Sequence, residues 1–302
     1  MSDQSMRVAI TGSTGLIGDS LRTHLQQSGH TVHRVVRDRA QATGGDVYWS
    51  PSKGDLDAEA LVGVDAVVHL AGEPIGARRW SDEQKARIRD SRVRGTGLLA
   101  GALAGLADGP RVLVSGSAVG YYGSRGDELL PETAAPGEDF LADVTVAWER
   151  AAAPAEAAGL RVAYARTGVV LAEDGPLIDK VELPFRLGVG GVIGSGDQYV
   201  PWIGLTDEVR ALAHLVEHDV SGPVNLVAPG PVTNRELTKA IGEVLNRPTV
   251  IPTPTFAIRL LYGEMGVSLA TASQRCIPTV LQEAGFEWRQ TDIHDPLREA
   301  FG

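Results

Sequence analysis

Cysteine is almost absent from this 302-residue sequence, in which Cys276 is the only one. A single cysteine excludes an internal disulfide and suits a reducing cytosol. No apolar run approaches the roughly 18 residues of a membrane-spanning helix, and no secretory leader is recognisable. We therefore expect a cytoplasmic protein in which Cys276 is a core residue rather than a nucleophile.

Basic residues are fewer than acidic residues. Lysine and arginine number 28 against 38 aspartates and glutamates, so the formal net charge is −10 at pH 7. Such a balance argues against nucleic acid or an anionic membrane as the main partner. Any phosphate site must be made locally, by helix termini and a few arginines, and no metal site is predicted.

Glycine, in contrast, is plentiful. The chain has 36 glycines and 43% hydrophobic residues, and its glycine content is well above the usual ~7%. This composition is typical of a soluble α/β protein with many tight loops. The length allows one large core and a smaller lobe.

The stretch MRVAITGSTGLIG at residues 6–18 is the most informative in the chain. A buried strand is predicted first, then glycines at G-x-x-G-x-x-G spacing, then a helical pattern. This geometry places a pyrophosphate on a helix N-terminus, although a plain glycine-rich βα turn is the alternative. The predicted cofactor contacts of this turn are Gly12, Ser13, Thr14, Gly15, Leu16, Ile17 and Gly18.

The end of the second predicted strand indicates which dinucleotide is bound. Residues 31–36 form that strand, and Arg37 follows it, where an NAD-binding protein has an acidic residue. A guanidinium suits the 2′-phosphate of NADP(H), and Arg39 could assist. Asp38 keeps NAD(H) open if the strand ends one residue later, and a solvated basic loop is the third interpretation.

Strand and helix patterns then alternate along the chain. Strands are predicted at 65–72, 111–117, 161–171 and 223–228, and helices at 81–106, 138–158 and 206–218. The third strand ends in Leu70, Ala71 and Gly72, whose small residues leave room for the adenosine half of the cofactor. His69, inside that strand, is interpreted as a core residue.

This order predicts a Rossmann-type α/β fold with a doubly wound parallel sheet. We assign residues 6–171 to the dinucleotide-binding domain, which the chain rejoins at about 201–228. Residues 172–302 are assigned to a smaller substrate-side lobe. The boundary near residue 172 is a soft one, because the chain crosses between the lobes more than once.

Several motifs together resemble a known family. They are TGSTGLIG, DAVVHLAG, SGSAVGYYG, PWIGLTDEVRA and GPVNLVAPGPVTNREL, and they are similar to the extended short-chain dehydrogenases/reductases. SAVGYYG with DFLADVTVAWE and the tail ASQRCIPTVLQEAGFEW resembles an atypical subgroup, the NAD(P)-dependent epimerase/dehydratase-like proteins of bacterial YfcH type and human SDR39U1 type. The resemblance spans Met6 to about Leu297.

The resemblance implies a catalytic Ser or Thr and a Tyr-x-x-x-Lys pair, in which the Tyr exchanges the substrate hydroxyl proton. Ser117 matches the serine. The expected Tyr falls near Phe140 or Leu141, and the expected Lys at Val144 or Thr145. No Tyr-x-x-x-Lys occurs in the sequence, so the usual mechanism cannot be assumed.

Other residues are candidates for the missing chemistry. Tyr121 or Tyr122 could act as the acid, or both could form an aromatic wall of the cofactor pocket. Glu132 could act as a base or cap a segment. Arg166 could bind the cofactor or an anionic substrate group, or serve as a structural ion-pair partner. The resemblance also places three further residues where the superfamily contacts substrate or closes its pocket: Gln198, Trp202 and Asp207.

Three functions remain open from the sequence. The first is an NADP(H)-dependent oxidoreductase or epimerase-like enzyme for an unknown small substrate. The second is a catalytically silent NADP(H)-binding sensor, and the third an interaction protein with a vestigial site. Relatives in the superfamily often pair through two helices, here 81–106 and 138–158, so a homodimer is expected.

Overall fold

The computed structural model describes residues 5–302, except for the side chain of Gln41. The strands are β1 (Arg7–Thr11), β2 (Thr31–Val36), β3 (Val47–Ser50), β4 (Asp55–Leu56), β5 (Ala66–His69), β6 (Val112–Ala118), β7 (Leu129–Leu130), β8 (Arg161–Thr167), β9 (Val169–Leu171), β10 (Tyr199–Val200), β11 (Trp202–Gly204), β12 (Gly222–Leu226), β13 (Val232–Thr233) and β14 (Arg275–Cys276). The helices are α1 (Leu16–Gln27), α2 (Asp82–Ala104), α3 (Phe140–Arg150), α4 (Ala153–Ala157), α5 (Ile178–Arg186), α6 (Leu205–Glu217), α7 (Asn234–Leu245), α8 (Thr255–Thr271), α9 (Thr279–Glu283) and α10 (His294–Phe301).

Eight strands form the main sheet in the order β12-β8-β6-β5-β1-β2-β3-β4. The strands from β12 to β3 pair in parallel, and β4 is antiparallel to β3. The strand order reverses at β1, so the switch point lies between β1 and β5, where α/β sheets bind ligands. The predicted doubly wound α/β fold is confirmed.

Helices cover both faces of this sheet, so its central strands are buried on each side. On one face α1 and α6 pack on the even-numbered residues of β1, in a cluster that includes Leu21, Leu25 and Leu212. On the other face α2 and α4 pack around Trp49 and Leu99. The two layers of helices leave the carboxyl ends of the strands open to loops.

The predicted strand over 161–171 is two strands. Gly168 separates β8 from β9, and a Cβ at Gly168 would lie 2.4 Å from the Pro201 carbonyl oxygen. β9 leaves the main sheet there and pairs in parallel with β11. The close passage of a second backbone segment therefore ends β8, and the local sequence pattern does not reveal it.

The predicted helix over 138–158 is also divided. α3 ends at Arg150 and α4 begins at Ala153, with Pro154 in the first turn of α4. Proline has no N–H to continue a preceding helix, whereas it is tolerated in a first turn. No element is predicted between the strands at 31–36 and 65–72, yet residues 40–54 contain β3, whose Trp49 is almost fully buried.

The C-terminal part of the chain returns to the rest of the molecule at several points. β12 lies at the edge of the main sheet, and β14 pairs in parallel with β7.

Within residues 5–302, no helix is long and apolar enough to cross a membrane. The division into lobes at residues 171 and 172 stays a prediction.

Candidate functional site

The glycine turn after β1 has the geometry that the spacing predicts. Gly12 has φ +70°, a conformation that glycine adopts without strain. A Cβ at Gly18 would lie 2.2 Å from the Gly12 carbonyl oxygen. Only glycine at position 18 therefore lets α1 pack this closely on the turn.

Gly15 has a different role, because it begins the helix. It is the N-cap of α1, and no side chain of the described chain caps it. The first N–H groups of a helix lack intrahelical partners and attract anions. Thr14 and Gly15 are exposed, Leu16 and Ile17 are half-buried and Ser13 is buried. An anion can therefore reach the start of α1.

A hydrogen-bonded cluster joins the ends of β1 and β5 beneath this turn. Thr11 Oγ1 accepts hydrogen bonds from the N–H groups of Leu70 (3.0 Å) and Ala71 (3.1 Å). Its own proton is directed at His69 Nδ1, 2.7 Å away. Burial, together with the charge of Arg92, lowers the pKa of His69 to about 4, so the ring is neutral and belongs to the core.

The loop after β5 continues from this cluster past Gly72, which is exposed. A Cβ at Gly72 would lie 3.3 Å from the Arg92 guanidinium carbon. Arg92 in turn donates to the Glu73 carbonyl oxygen at 2.9 Å. Arg92 thus fixes the loop that the sequence assigns to the adenosine half of a cofactor.

Arg37 follows the last residue of β2 and is exposed. Within the described part of the chain, its guanidinium has no hydrogen bond or ion pair. Asp38 is engaged as a cap, since its carboxylate accepts from the Ala40 N–H at 2.9 Å. Arg39 is engaged as well, 4.0 Å above the Tyr48 ring and 3.7 Å from Asp55. Arg37 is therefore the arginine available at this position.

A second group of candidate residues meets at the ends of β6 and β8. The Ser117 hydroxyl donates to Glu149 Oε1 on α3 at 2.6 Å. Arg166, opposite Ser117 in register, binds the same carboxylate with two hydrogen bonds of 2.8 and 2.9 Å. Although burial opposes the charge, the hydrogen bond to Glu149 raises the pKa of Arg166 above its ordinary value. The result is a buried ion pair that holds the serine proton.

Tyr122 belongs to the same network and is fully buried. Its hydroxyl donates to Asn225 Oδ1 at 2.7 Å and accepts from Arg166 Nη1 at 3.0 Å. Burial raises the pKa of the Tyr122 phenol above its ordinary value, against the charge of Arg166. This phenol has both partners inside the protein and holds its proton tightly, which favours a structural role.

Tyr121 has a different environment. It is half-buried, and the Arg166 guanidinium lies 3.5 Å above its ring centroid. Among the described contacts, its hydroxyl has no hydrogen-bond partner. Of the two tyrosines, Tyr121 is the one whose phenol is free to meet a ligand.

Glu132 is buried and connects three segments of the chain. Its Oε1 accepts from the N–H groups of Asn225 (3.1 Å) and Val280 (3.2 Å). Its backbone carbonyl accepts from Arg166 Nη1 at 3.1 Å. Within residues 5–302, Oε2 has no hydrogen-bond partner. These contacts favour the interpretation of Glu132 as a residue that joins segments over its interpretation as a base.

The positions of the expected Tyr-x-x-x-Lys pair hold no proton-exchanging side chain. Thr145 is buried, and its hydroxyl donates to the Leu141 carbonyl one turn earlier in α3. Phe140 packs edge-on against Trp80. Lys85, on α2, lies 5.3 Å from the Phe140 ring but is ion-paired with Glu264 at 2.7 Å.

The remaining candidates on the substrate side have structural partners. Gln198 donates to the carbonyl oxygens of Ile193 and Ala270. Trp202 is buried, and its indole N–H donates to Gly230. The Asp207 carboxylate is fully buried and accepts from Arg210 and from backbone N–H groups at 289 and 290.

Two members of this network are not predicted from the sequence as site residues, namely Glu149 and Asn225. Glu149 is the last residue of the motif DFLADVTVAWE, in which no role is predicted for it, and Asn225 lies inside the strand pattern PVNLVA. A signal was present in each case, because a charged or amide side chain on the buried side of an element needs a partner.

Comparison with known proteins agrees with this geometry. A model of the NAD dependent epimerase/dehydratase family matches residues 8–228. A domain of unknown function matches residues 253–300, which include α8, α9 and all but the last residue of α10. The first match covers the main sheet from the second residue of β1 to the end of β12.

Individual relatives extend over nearly the entire chain. An epimerase family protein, Mb2239 of Mycobacterium bovis, is 45% identical over 98% of this chain and 96% of its own. The crystal structure of human SDR39U1 isoform 2 with NADPH aligns with a TM-score of 0.88 and 32% identity, covering 98% of this chain and 99% of that one. UDP-N-acetylglucosamine 4-epimerase of Bacillus cereus has the same fold, with a TM-score of 0.77 and 18% identity over 98% of both chains.

Proposed function

Since the chain belongs to the NAD dependent epimerase/dehydratase family, we propose that it binds NADP(H) and performs reductase- or epimerase-like chemistry on a small substrate. Three features of the described residues support this proposal together: the start of α1 without a side-chain cap, Arg37 without a partner among residues 5–302, and Ser117 near the end of β6. All three lie at the carboxyl ends of strands of the main sheet. Neighbouring strands are roughly 4.8 Å apart, so an extended dinucleotide can lie across these strand ends.

The residues present fit the cofactor. The Gly12–Gly18 turn gives the pyrophosphate a helix N-terminus without side-chain competition. Arg37 would bind the 2′-phosphate, because a free guanidinium offers both charge and a fork of donors. The human relative whose structure contains NADPH is similar over almost its full length. When bound, the cofactor would supply or accept hydride.

Ser117 and Tyr121 are the two side chains that we assign to the substrate. The Ser117 proton points to Glu149, so the serine oxygen offers lone pairs and would accept a hydrogen bond from a substrate hydroxyl. The unpartnered Tyr121 phenol would be the proton donor or acceptor. Arg166, stacked on that ring, would stabilise negative charge on the phenolate.

A silent NADP(H)-binding protein is the second candidate function. Its support is that Tyr122 and Glu132 are both engaged in structural contacts, while the Tyr-x-x-x-Lys positions hold Phe140 and Val144 or their neighbours. This function predicts tight cofactor binding and a conformational change without turnover.

Isotope transfer distinguishes the two functions. The protein is loaded with NADPH deuterated at C4, on the pro-S face and separately on the pro-R face, and incubated with a small-molecule extract of its source cells. Deuterium found by mass spectrometry in a metabolite establishes the enzyme and identifies its substrate. Deuterium retained on bound cofactor for both isomers favours the silent function. Absence of NADPH binding overturns the whole proposal.

A further inference from the structure

A fully buried acid lies on the opposite side of β8 from Arg166. Glu208, in the first turn of α6, has 0% of its surface exposed. The Thr167 hydroxyl donates to its Oε1 at 2.8 Å. Within the described residues, the Glu208 Oε2 atom has no hydrogen-bond partner. A carboxylate anion left in this state would be costly.

Among residues 5–302, no counter-charge reaches this carboxyl from the elements packed on α6. β6, β9 and β11 have no charged residue. On β8, Arg166 binds Glu149 on the other face, and Arg161 donates to carbonyls at the far end of α6. Among the described residues, the other titratable groups of α1 and α6 are His24 and the Asp19–Arg22 pair on α1 and, on α6 itself, Asp207 paired with Arg210, His214, and Glu217 paired with His30. Burial consequently raises the pKa of Glu208 to about 8.

Thr167 connects this carboxyl to the candidate site. It is the last residue of β8, is half-buried, and lies opposite Ala118, which follows Ser117. Successive strand residues point to opposite faces, so Arg166 and Thr167 flank the end of β8 from two sides. A ligand held at the ends of β6 and β8 would therefore lie near both the Arg166–Glu149 pair and the Thr167–Glu208 pair.

We propose that the Glu208–Thr167 pair distinguishes oxidised from reduced nicotinamide by charge. The oxidised ring is cationic and the dihydronicotinamide ring is neutral. A cation near the carboxyl favours its ionised form, so binding of NADP⁺ releases the Glu208 proton to solvent. Binding of NADPH leaves that proton in place. This inference depends on the proposed cofactor binding and applies equally to an enzyme and to a silent protein.

Calorimetric titration at pH 7 in two buffers of different ionisation enthalpy measures the protons released. The expected result is a release approaching one proton with NADP⁺ beyond that with NADPH. The 2′-phosphate is common to both cofactors, so its own titration cancels in this comparison. The affinity for NADP⁺ relative to NADPH should also rise between pH 6 and pH 8, by up to about tenfold per pH unit.

Two variants assign this effect to the pair. Glu208→Gln keeps the shape of the side chain and should abolish both the extra proton release and the pH dependence. Glu182→Gln, which changes an α5 carboxylate paired with Arg186, is the matched control and should preserve them. If Glu208→Gln does not fold, Thr167→Val is the second variant. It removes the hydrogen bond that favours ionisation of Glu208, so the change in relative affinity for NADP⁺ and NADPH should occur at higher pH.

Equal proton release with the two cofactors would overturn the inference while leaving cofactor binding intact. So would a difference that persists in Glu208→Gln. Failure of the wild-type protein to bind either cofactor would overturn the proposed function and this inference with it.

Discussion

Arg166 organises the candidate site at the level of single side chains. Its guanidinium binds Glu149, Tyr122 and the Glu132 carbonyl, and its face covers Tyr121. Each of these groups is therefore fixed relative to one buried cation. The Tyr122 hydroxyl has two partners in this network, whereas the Tyr121 hydroxyl has none among the described residues, so these neighbouring tyrosines differ in role.

The two tyrosines should respond differently to loss of the hydroxyl. Tyr122→Phe removes the buried donor to Asn225 Oδ1 and one of the two acceptors of Arg166 Nη1, so we expect a loss of about 1–3 kcal/mol in the free energy of unfolding. NADPH affinity should change little. Denaturant unfolding and NADPH titration measure the two quantities.

Tyr121→Phe should show the opposite profile. Its stability should remain near that of the wild type, since no hydrogen bond is described for its hydroxyl. Deuterium transfer from NADPH should fall by about 10²-fold or more if this phenol exchanges the proton. Loss of transfer in Tyr122→Phe at unchanged stability would reverse the assignment.

Arg37 should determine the preference for NADP(H). Loss of a hydrogen bond to a charged group costs about 1.5–3 kcal/mol, so Arg37→Asp should weaken NADPH binding about 10- to 100-fold. NADH binding should be nearly unchanged. Fluorescence titration with both cofactors measures these affinities.

Arg39→Asp is the matched control, because Arg39 is also exposed but is engaged with Tyr48 and Asp55. It should preserve the ratio of NADPH to NADH affinity. Equal loss of both cofactors in Arg37→Asp would contradict the 2′-phosphate assignment.

At the level of elements, the contact between the glycine turn and α1 is the tightest constraint near the site. Gly18→Ala places a Cβ against the Gly12 carbonyl, a backbone atom that cannot rotate away. We expect a destabilisation of about 2 kcal/mol or more, together with loss of NADPH binding. Thermal unfolding and cofactor titration test this.

Gly101→Ala provides the comparison within a helix. Gly101 lies in α2, and no atom lies within 4 Å of its added Cβ. The substitution should be neutral or stabilise the protein by up to about 1 kcal/mol. A Gly18→Ala variant as stable as Gly101→Ala would show that the turn can relax.

The sequence predicts the elements well where each depends on its own pattern. β2 is observed with the predicted bounds, and the helix predicted over 206–218 is observed as Leu205–Glu217. The prediction fails where distant segments decide, as at Gly168 against Pro201. The same reason applies to the site: Ser117 could be identified from its motif, whereas its partner Glu149 depends on how α3 packs on the sheet.

At the scale of the whole molecule, the buried groups His69 and Glu208 make the free energy of unfolding change with pH in opposite directions. The lowered pKa of His69 means that the unfolded chain takes up a proton below pH 6.5, whereas the folded chain does so only near pH 4. Stability is therefore lost as the pH falls through this range. The raised pKa of Glu208 acts in the other direction, so its stabilisation is lost as the pH rises from about 4.5 to 8.

His69 should account for a measurable part of the acid sensitivity. Its contribution changes by about 1.4 kcal/mol per pH unit, so about 2 kcal/mol should be lost between pH 6.5 and pH 5. His69→Gln should remove this loss, so the unfolding free energy of the variant relative to the wild type should rise by about 2 kcal/mol as the pH falls from 6.5 to 5. Parallel curves for the variant and the wild type would contradict the assignment.

The pairing of β7 with β14 has a consequence for synthesis of the protein. These strands are about 145 residues apart, and Ser273, Gln274 and Val280 also contact the segment that carries Tyr121 and Glu132. On the ribosome, the strands of the main sheet up to β8 emerge long before β14. The nascent chain could therefore form its dinucleotide turn early, while the loop bearing Tyr121 would acquire its final contacts only near the end of translation.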